Sequence, residues 1–371
     1  MTDRPTSASR GPLEVAWFAA LCDDDYEFLG VPDPALASSF EHCGDIARAA
    51  DRLGFDNILL PSGYDLGIDS VAFAAGIAPQ VADIDLLLAV RCAEQWPPQL
   101  ARQLATIDRM LGPSKRHPDR GRLCVNIISS DLPGAPLESE PRYRRTVEVA
   151  TIVRSLLSGE PVVHHGEFFD LEVEPPRVTT LNGTCPPFYF GGLSEAARDA
   201  AAEIADVYLT WPDTVAATAE VVADLRARAA ARGRDLRFGF RCHVIVRDTE
   251  AEARDAAARL VSRLDPGIGE QIRRRSLDSG SAGVARQAEL RSSADADGFV
   301  EDHLWTGVGR ARSGAGAAIV GDPDQVVATM LRYVQVGVDS FILSGYPHLG
   351  ECERVARDVL PFLRAAIAAI D

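Results

Sequence analysis

Short apolar segments alternate with longer amphipathic segments along almost the whole chain of 371 residues. Eight of the apolar segments have the length and residue content of buried strands, and helical patterns separate them. These candidate strands are residues 13–20, 56–62, 85–90, 122–129, 187–192, 206–211, 236–246 and 339–345. Eight strands joined by helices predict an α/β fold of the (β/α)8 type, a TIM barrel. No GxGxxG motif follows the first strand, which weakens the alternative of an open doubly wound sheet.

The same alternation predicts the domain organisation. Residues 1–12 have no apolar segment behind them and are expected to be a disordered lead, whereas residues 13–371 form a single barrel domain. Residues 158–184 interrupt the pattern with two short extended pieces, which predicts an insertion after the fourth helix. Residues 265–313, after the seventh strand, are poor in apolar side chains, and a structureless stretch of this length in an enzyme is typical of a mobile lid.

Composition argues against several classes of partner. The net charge of −16 disfavours nucleic acid and anionic membrane surfaces. The apolar runs are too short to span a bilayer and no signal peptide is recognisable, so a cytoplasmic protein is expected. The seven cysteines contain no CxxC pair and the seven histidines no HExxH motif. Neither a disulfide framework nor a metal site is therefore predicted.

The seventh candidate strand carries the most informative pattern, RFGFRCHVIV at 237–246. Because side chains alternate along a strand, Arg241 and His243 share the face opposite Phe238 and Phe240. In a barrel the apolar face packs against the helices, which directs Arg241 and His243 to the interior. A buried arginine and histidine are costly unless they are paired or functional. The pattern leaves open a structural ion pair with an interior carboxylate and a functional role.

The junction after the fifth candidate strand, YFGGLSEAARDA, has the features of a phosphate site. Gly191 and Gly192 allow a close approach of the backbone, and Ser194 begins a helix whose N–H groups favour an anion. An ordinary glycine turn with a serine N-cap explains the same residues. The position after a late barrel strand, where such barrels often hold phosphate, favours the functional interpretation.

Other polar or aromatic side chains lie at or near the ends of candidate strands. Asn126 lies in the fourth strand, where it could bind a ligand or hydrogen-bond to neighbouring backbone, and Arg91 and Trp211 follow the third and sixth strands. Tyr346 and His348 follow the eighth strand, at the face where TIM barrels carry their active sites. Periodicity alone does not distinguish packing from chemistry for these two rings.

Several stretches resemble the flavin-dependent alkanesulfonate monooxygenases of the bacterial luciferase-like superfamily. They are ARQLATIDRM, PPFYFGG with the serine that follows, DVYLTW, RFGFRCHVIVRDT, LWTGVGRARSGAGAAIVGD and DSFILSGYPHL. The resemblance implies a luciferase-like (β/α)8 barrel that receives reduced FMN from a separate NAD(P)H-dependent flavin reductase. It further implies a reaction with O2 that cleaves the C–S bond of a small organosulfonate to give an aldehyde and sulfite. A homo-oligomer, dimer or tetramer, is usual for the family.

Carried over by position, the resemblance implies roles for particular residues. The catalytic residues would be His243, Arg241, Arg312 and Tyr346, with His243 as general acid or base. The substrate-binding residues would be Arg241, Arg312, Tyr346, His348 and Trp211. Tyr143 and Ser194 match phosphate-side contacts to FMN, and Trp211 matches a tryptophan beside the flavin. With the glycine and polar residues described above, the cofactor set becomes Asn126, Tyr143, Gly191, Gly192, Leu193, Ser194, Arg91 and Trp211.

The chain departs from the family pattern where substrate specificity should be set. The family's histidine after the first strand is replaced by Cys22 and three aspartates, and its cysteine after the second strand by Leu66 or a neighbour. If Asp23 or Asp25 faced the pocket, a polar or cationic substituent would suit it better than a simple alkane. One alternative is therefore a luciferase-like FMN monooxygenase for a sulfone or specialised metabolite. Another is a non-catalytic barrel subunit. The motifs favour FMN over coenzyme F420.

Overall fold

The computed structural model describes residues 12–116, 118–129, 134–274 and 280–370. The predicted disordered lead lies outside these residues except for Pro12. The strands of the described chain are β1 (Glu14–Phe18), β2 (Asn57–Leu60), β3 (Asp85–Arg91), β4 (Leu123–Ile128), β5 (Val162–His165), β6 (Asp170–Val173), β7 (Phe188–Phe190), β8 (Val207–Thr210), β9 (Arg237–Val246), β10 (Phe299–Glu301), β11 (Leu304–Trp305), β12 (Ala318–Gly321) and β13 (Ser340–Ser344).

Helices follow most of the strands. They are α1 (Phe40–Leu53), α2 (Ser70–Ile77), α3 (Pro97–Leu111), α4 (Ser139–Leu157), α5 (Glu195–Ile204), α6 (Val215–Ala230), α7 (Glu250–Val261), α8 (Pro266–Arg274), α9 (Ala282–Ser292), α10 (Pro323–Gln335), α11 (His348–Asp358) and α12 (Leu360–Ala368). Their ends follow the local sequence. The α1 helix begins after Ser39, whose hydroxyl accepts the N–H of His42, and ends at Gly54 in the left-handed conformation.

Eight parallel strands close into a barrel in the order β1-β2-β3-β4-β7-β8-β9-β13, with β13 returning to β1. On β1, where the barrel closes, Ala16 lies opposite Asn57 of β2 on one side and Ile342 of β13 on the other. The eight candidate strands are the eight barrel strands, so the predicted (β/α)8 architecture is confirmed. Because all eight run in the same direction, their carboxyl ends meet at one face.

The barrel interior has a polar layer at each end and an apolar layer between them. At the amino-terminal end, the carboxylate of the half-buried Glu14 accepts hydrogen bonds from the hydroxyls of Tyr189 and Ser340. Ala16, Leu87 and Ile342 belong to the apolar layer above it. At the carboxyl end, Arg241 and His243 of β9 are almost completely buried. The contact of the Arg241 guanidinium with Phe18, a member of the same apolar cluster, agrees with the predicted inward direction.

The two stretches that interrupt the alternation have regular structure. In residues 158–184, β5 and β6 pair as an antiparallel hairpin. The prediction that residues 265–313 are structureless is wrong, because their described part contains α8, α9, β10 and β11. Apolar side chains are few there, but Leu304 and Trp305 are buried. Mobility of this segment stays a prediction.

The β12 strand was not among the predicted strands. It pairs with the second half of β9, from His243 to Val246, whereas the first half of β9 pairs with β8. β11 and β10 extend the sheet from β12 in antiparallel fashion. The ten-residue β9 strand therefore holds the barrel and the 265–313 segment together.

Candidate active site

A cavity of about 630 Å³ opens at the carboxyl face of the barrel. Its walls come from the loop after β1, the loop after β2, the α8 helix and residues 311–313. Phe18, Arg91, Arg312 and Tyr346 line it together with a group of aspartates. The size and position are those expected of a small-molecule site in this fold.

Arg312 connects the cavity wall to two other elements. Its Nη1 donates to Asp24 Oδ2 at 2.6 Å and to the Tyr346 hydroxyl at 2.7 Å. Burial alone would lower the pKa of Arg312, but the interactions with Tyr346 and Asp24 outweigh burial and raise it. Arg312 is therefore a fixed cation at the cavity.

Arg241 lies behind the cavity wall, with its guanidinium carbon 4.2 Å from the ring centre of Phe18. Its Nη1 donates to the carbonyl of Cys242 at 2.8 Å, and its Nη2 has no hydrogen-bond partner within the described residues. Burial, followed by the charge of Arg312, lowers the pKa of Arg241 to about 9. No salt bridge to an interior carboxylate is present among the described residues, so the structural ion pair considered from the sequence is not formed there.

His243 lies next to Arg241 on β9 and is held on two sides. The hydroxyl of Ser344, in register on β13, is 2.7 Å from Nδ1. The ring of Tyr346 stacks on the imidazole with centres 5.1 Å apart. Burial lowers the pKa of His243 well below its usual value, and the charge of Arg241 lowers it further. The imidazole is therefore neutral at physiological pH.

His348 begins α11 and is fully buried. Its Nδ1 donates to the carbonyl of Phe18 at 3.0 Å, and its backbone N–H donates to Asp25 Oδ1 at 2.9 Å. The ring stacks on Phe18 and meets the edge of Tyr346. His348 and His243 do not themselves line the cavity. They pack directly behind Phe18 and Tyr346, which do.

The predicted phosphate-side residues come together at the start of α5. Ser194 is the N-cap and accepts the N–H of Ala197 at 3.3 Å. A Cβ atom on Gly192 would lie 3.2 Å from the hydroxyl of Tyr143, so this α4 side chain covers the turn. A Cβ atom on Gly191 would lie 2.4 Å from a backbone oxygen. Both glycines are thus required for the local packing, with or without a ligand.

The remaining members of the cofactor set occupy separate positions. The carbonyl of Leu193 accepts a hydrogen bond from an arginine of α5. Trp211 packs against two glycines. A Cβ atom added to Gly283 would lie 2.9 Å from the Trp211 ring, and one added to Gly314 would lie 3.3 Å from it. Arg91 lines the cavity and pairs with a glutamate at 2.6 Å. Asn126 is half-buried on β4.

The three consecutive aspartates after β1 all line the cavity, but their contacts differ. Asp25 binds His42, and Asp23 accepts the backbone N–H of Ser38. Asp24, which sequence reasoning did not single out, forms the salt bridge to Arg312. Ser344 was also missed, although its register with His243 could have identified it. No local pattern could have paired Asp24 with a residue 288 positions away.

The residues of this face fit a flavin. A glycine turn at a helix N-terminus suits a phosphate, and Trp211 is a half-buried aromatic ring that packs against Gly283 and Gly314. Four buried nitrogens lack hydrogen-bond partners among the described residues, namely Arg241 Nη2, His243 Nε2, His348 Nε2 and Arg312 Nε. Buried polar atoms of this kind call for a ligand or water.

Two other features bear on the class of protein. Within the described ranges, no three His, Cys, Asp or Glu side chains are grouped so that they could hold a metal ion. None of the helices in those ranges is long and apolar enough to cross a membrane.

Comparison with known proteins gives consistent matches. The sequence pattern of the luciferase-like monooxygenases matches residues 28–340. A sulfoquinovose monooxygenase of Novosphingobium aromaticivorans is 60% identical over 350 residues, which cover 94% of this chain and 96% of that protein. A sulfoquinovose monooxygenase of Agrobacterium fabrum is 49% identical over 362 residues, covering 97% and 92%. The crystal structure of riboflavin lyase with modified FMN and riboflavin superposes with a TM-score of 0.77 at 17% identity, covering 96% and 92%.

Proposed function

Because the chain belongs to the luciferase-like monooxygenase family, we propose that it is a two-component flavin-dependent monooxygenase that desulfonates sulfoquinovose. Sulfoquinovose is a hexose with a sulfonate on C6, so it falls within the organosulfonates expected from the sequence. Two relatives of high identity over nearly the whole chain carry this substrate in their names. The observation that carries the proposal is Arg241, a buried guanidinium with an unpartnered Nη2 beside the cation Arg312.

The proposed reaction balances without a metal. The substrate R–CH2–SO3⁻, O2 and reduced FMN give R–CHO, sulfite, oxidised FMN and water. Reduced FMN, when bound, activates O2 and supplies the two electrons that reduce the second oxygen atom to water. A separate NAD(P)H-dependent flavin reductase would provide it, and a homodimer or tetramer is expected.

The arginines would bind the sulfonate and orient it. A sulfonate is a tetrahedral anion at all ordinary pH values, and guanidinium groups bind such anions through charge-assisted hydrogen bonds. Arg312 lines the cavity. The guanidinium carbons of Arg241 and Arg312 lie 4.2 Å and 5.2 Å from the ring centre of Phe18. The Tyr346 hydroxyl accepts from Arg312, which leaves its own hydrogen for a substrate oxygen.

His243 would act as a neutral imidazole. Conversion of the sulfonated carbon to an aldehyde releases a proton from that carbon, and a neutral imidazole can accept it. Burial and, after it, the nearby cations lower the pKa of His243, so the ring holds no proton that it could donate at the start of the reaction. The proposal therefore keeps the base role predicted from the sequence and drops the acid role.

A sulfite-release assay tests the function. Purified protein is combined with FMN, a flavin reductase, NAD(P)H and O2, and sulfite is measured with sulfoquinovose or hexane-1-sulfonate as substrate. Preferential release from sulfoquinovose is expected, and omission of the protein is the control for chemistry of free reduced flavin. Binding of reduced flavin without sulfite release from either compound would overturn the sulfonate assignment. Absence of flavin binding would overturn the monooxygenase assignment.

A further inference from the structure

We propose that Asp24 is a specificity-determining residue that binds a hydroxyl group of a polyhydroxylated sulfonate through its Oδ1 atom. The inference rests on the proposed function, since it takes a sulfonate as the substrate class. It adds the residue that distinguishes a sugar sulfonate from a simple alkanesulfonate.

The two carboxylate oxygens of Asp24 have different surroundings. Oδ2 accepts a hydrogen bond from Arg312 Nη1 at 2.6 Å. Oδ1 is buried and has no hydrogen-bond partner in the described part of the chain, although the residue lines the cavity. A buried carboxylate oxygen without a donor carries a desolvation cost that a ligand donor would remove.

The neighbouring aspartates do not offer such an oxygen. Asp25 uses Oδ2 for His42 and Oδ1 for the backbone N–H of His348, both at 2.9 Å. Asp23 is exposed and accepts the backbone N–H of Ser38 at 2.8 Å. Their carboxylates shape the β1 loop, whereas Asp24, which also lines the cavity, keeps one oxygen without a donor among the described residues.

A hydroxyl group suits this acceptor better than a cation or an alkyl chain. Arg312 already neutralises Asp24, and the additional charge of Arg241 nearby would repel an ammonium group. An alkyl chain would leave the buried Oδ1 atom without a donor. A hydroxyl group donates one hydrogen bond and adds no charge.

Asp24 also lies next to the groups proposed to bind the sulfonate. Arg312 Nη1 contacts both Asp24 and Tyr346, so the carboxylate and the sulfonate-binding groups flank one guanidinium. The carbon next to the sulfonated carbon of a hexose belongs to a ring that bears several hydroxyls. One ring can therefore present its sulfonate to Arg312 and a hydroxyl to Asp24.

The test compares two ligands in matched variants. Sulfoquinovose is the hydroxylated substrate, and (oxan-2-yl)methanesulfonate has the same type of ring and sulfonate without hydroxyls. We would measure kcat/KM for sulfoquinovose and the competitive inhibition constant of the oxane for wild type, Asp24→Ala, Asp24→Asn and Asp23→Asn. The Asp23→Asn variant removes the same charge from the same loop without touching Arg312, and asparagine tolerates the positive φ of 49° there.

Asp24→Ala should lower kcat/KM for sulfoquinovose by about tenfold or more, the size expected for one hydrogen bond to a charged group. The inhibition constant of the oxane should stay within about twofold of the wild-type value. Asp24→Asn keeps an acceptor, so its loss of kcat/KM should be smaller, and it replaces the alanine variant in the test if that variant does not fold. Equal weakening of both ligands would overturn the inference, because Asp24 would then act only by holding Arg312. Unchanged constants would overturn it too. If the wild-type protein released sulfite neither from sulfoquinovose nor from any other sulfonate, the result would instead contradict the proposed function.

Discussion

The Nη1 atom of Arg312 donates a hydrogen bond of 2.7 Å to the hydroxyl of Tyr346, 34 residues further along the chain. Arg312 lies near the end of the 265–313 segment, part of which lines the cavity, and Tyr346 follows the last barrel strand, β13. The bond therefore connects this segment to the barrel. Burial lowers the pKa of Arg312, but the interactions with Tyr346 and Asp24 outweigh it and raise that pKa. Burial raises the pKa of the Tyr346 phenol and keeps it protonated, although the charge of Arg312 acts in the opposite direction.

Tyr346→Phe removes this bond with little change in shape. We expect kcat/KM for the sulfonate to fall by about 10- to 100-fold, as for loss of a hydrogen bond to a charged group. Tyr64→Phe is the matched control, because Tyr64 lines the same cavity but is largely exposed. Steady-state sulfite release measures both. Similar losses in the two variants, or none in Tyr346→Phe, would contradict the assignment.

The pH dependence of substrate affinity should follow the protonation of Arg241. Its pKa is lowered to about 9, so the guanidinium loses its proton as pH rises through that value while the sulfonate stays ionised. KM for the sulfonate should therefore rise above about pH 9 and show no histidine transition between about pH 6 and 8, because His243 and His348 both have lowered pKa values. Single-turnover measurements with pre-reduced flavin give the apparent Kd of the sulfonate without the reductase, and this constant should rise over the same pH range.

Arg241→Lys is the control for that assignment. A lysine has a lower intrinsic pKa, about 10.4, than an arginine, so the same burial should move the rise in KM to lower pH. If the transition stayed at the same pH in Arg241→Lys, another group would be responsible for it.

The architecture was predictable because its determinants are local. Each barrel strand is a short apolar run between helical patterns, and the alternation on β9 alone directs Arg241 and His243 inward. β12 was missed because its four residues, Ala318–Gly321, form a short run in a glycine-rich stretch. The regular structure of residues 265–313 was not predicted because only a few buried side chains, including Trp305, stabilise it.

The site was predictable only in part, because its contacts join distant segments. Arg241, His243, Arg312 and Tyr346 were placed together by resemblance, and the structure brings them together. The contact of Asp24 with Arg312 depends on loop geometry that no residue spacing encodes. The pKa of a typical histidine likewise did not predict that burial and neighbouring cations lower the pKa of His243.

His243→Ala should abolish most turnover while leaving flavin binding unchanged. The imidazole stacks on Tyr346 and lies beside Arg241, remote from the Ser194 end of the proposed flavin site. Loss of a general base typically lowers kcat by about 100- to 10,000-fold. Fluorescence titration with FMN, alongside sulfite release, separates the two effects. Unchanged turnover would remove His243 from the mechanism.

Ser344→Ala tests whether the serine positions His243. Its hydroxyl is 2.7 Å from Nδ1, so its loss frees the ring to rotate or change tautomer. We expect kcat to fall by about tenfold with KM for the sulfonate unchanged. Ser340→Ala removes another buried hydroxyl from the same strand, one that binds Glu14 at the opposite end of the barrel. An equal loss of kcat in both variants would indicate a general effect on β13 instead.

Gly192→Ala should weaken flavin binding at the proposed phosphate end. The new methyl group would lie 2.7 Å from Ala197 Cβ and 3.2 Å from the Tyr143 hydroxyl, so the turn and the tyrosine must move apart. The backbone φ of 152° adds strain for any residue with a side chain.

Gly233→Ala is the matched control, because Gly233 also has a positive φ but no atom within 4 Å of the added methyl group. We expect the Kd for FMN to rise by about tenfold or more in Gly192→Ala, a loss of about 1.4 kcal/mol, and to stay unchanged in Gly233→Ala. An unchanged Kd in a folded Gly192→Ala protein would place the phosphate elsewhere on the barrel.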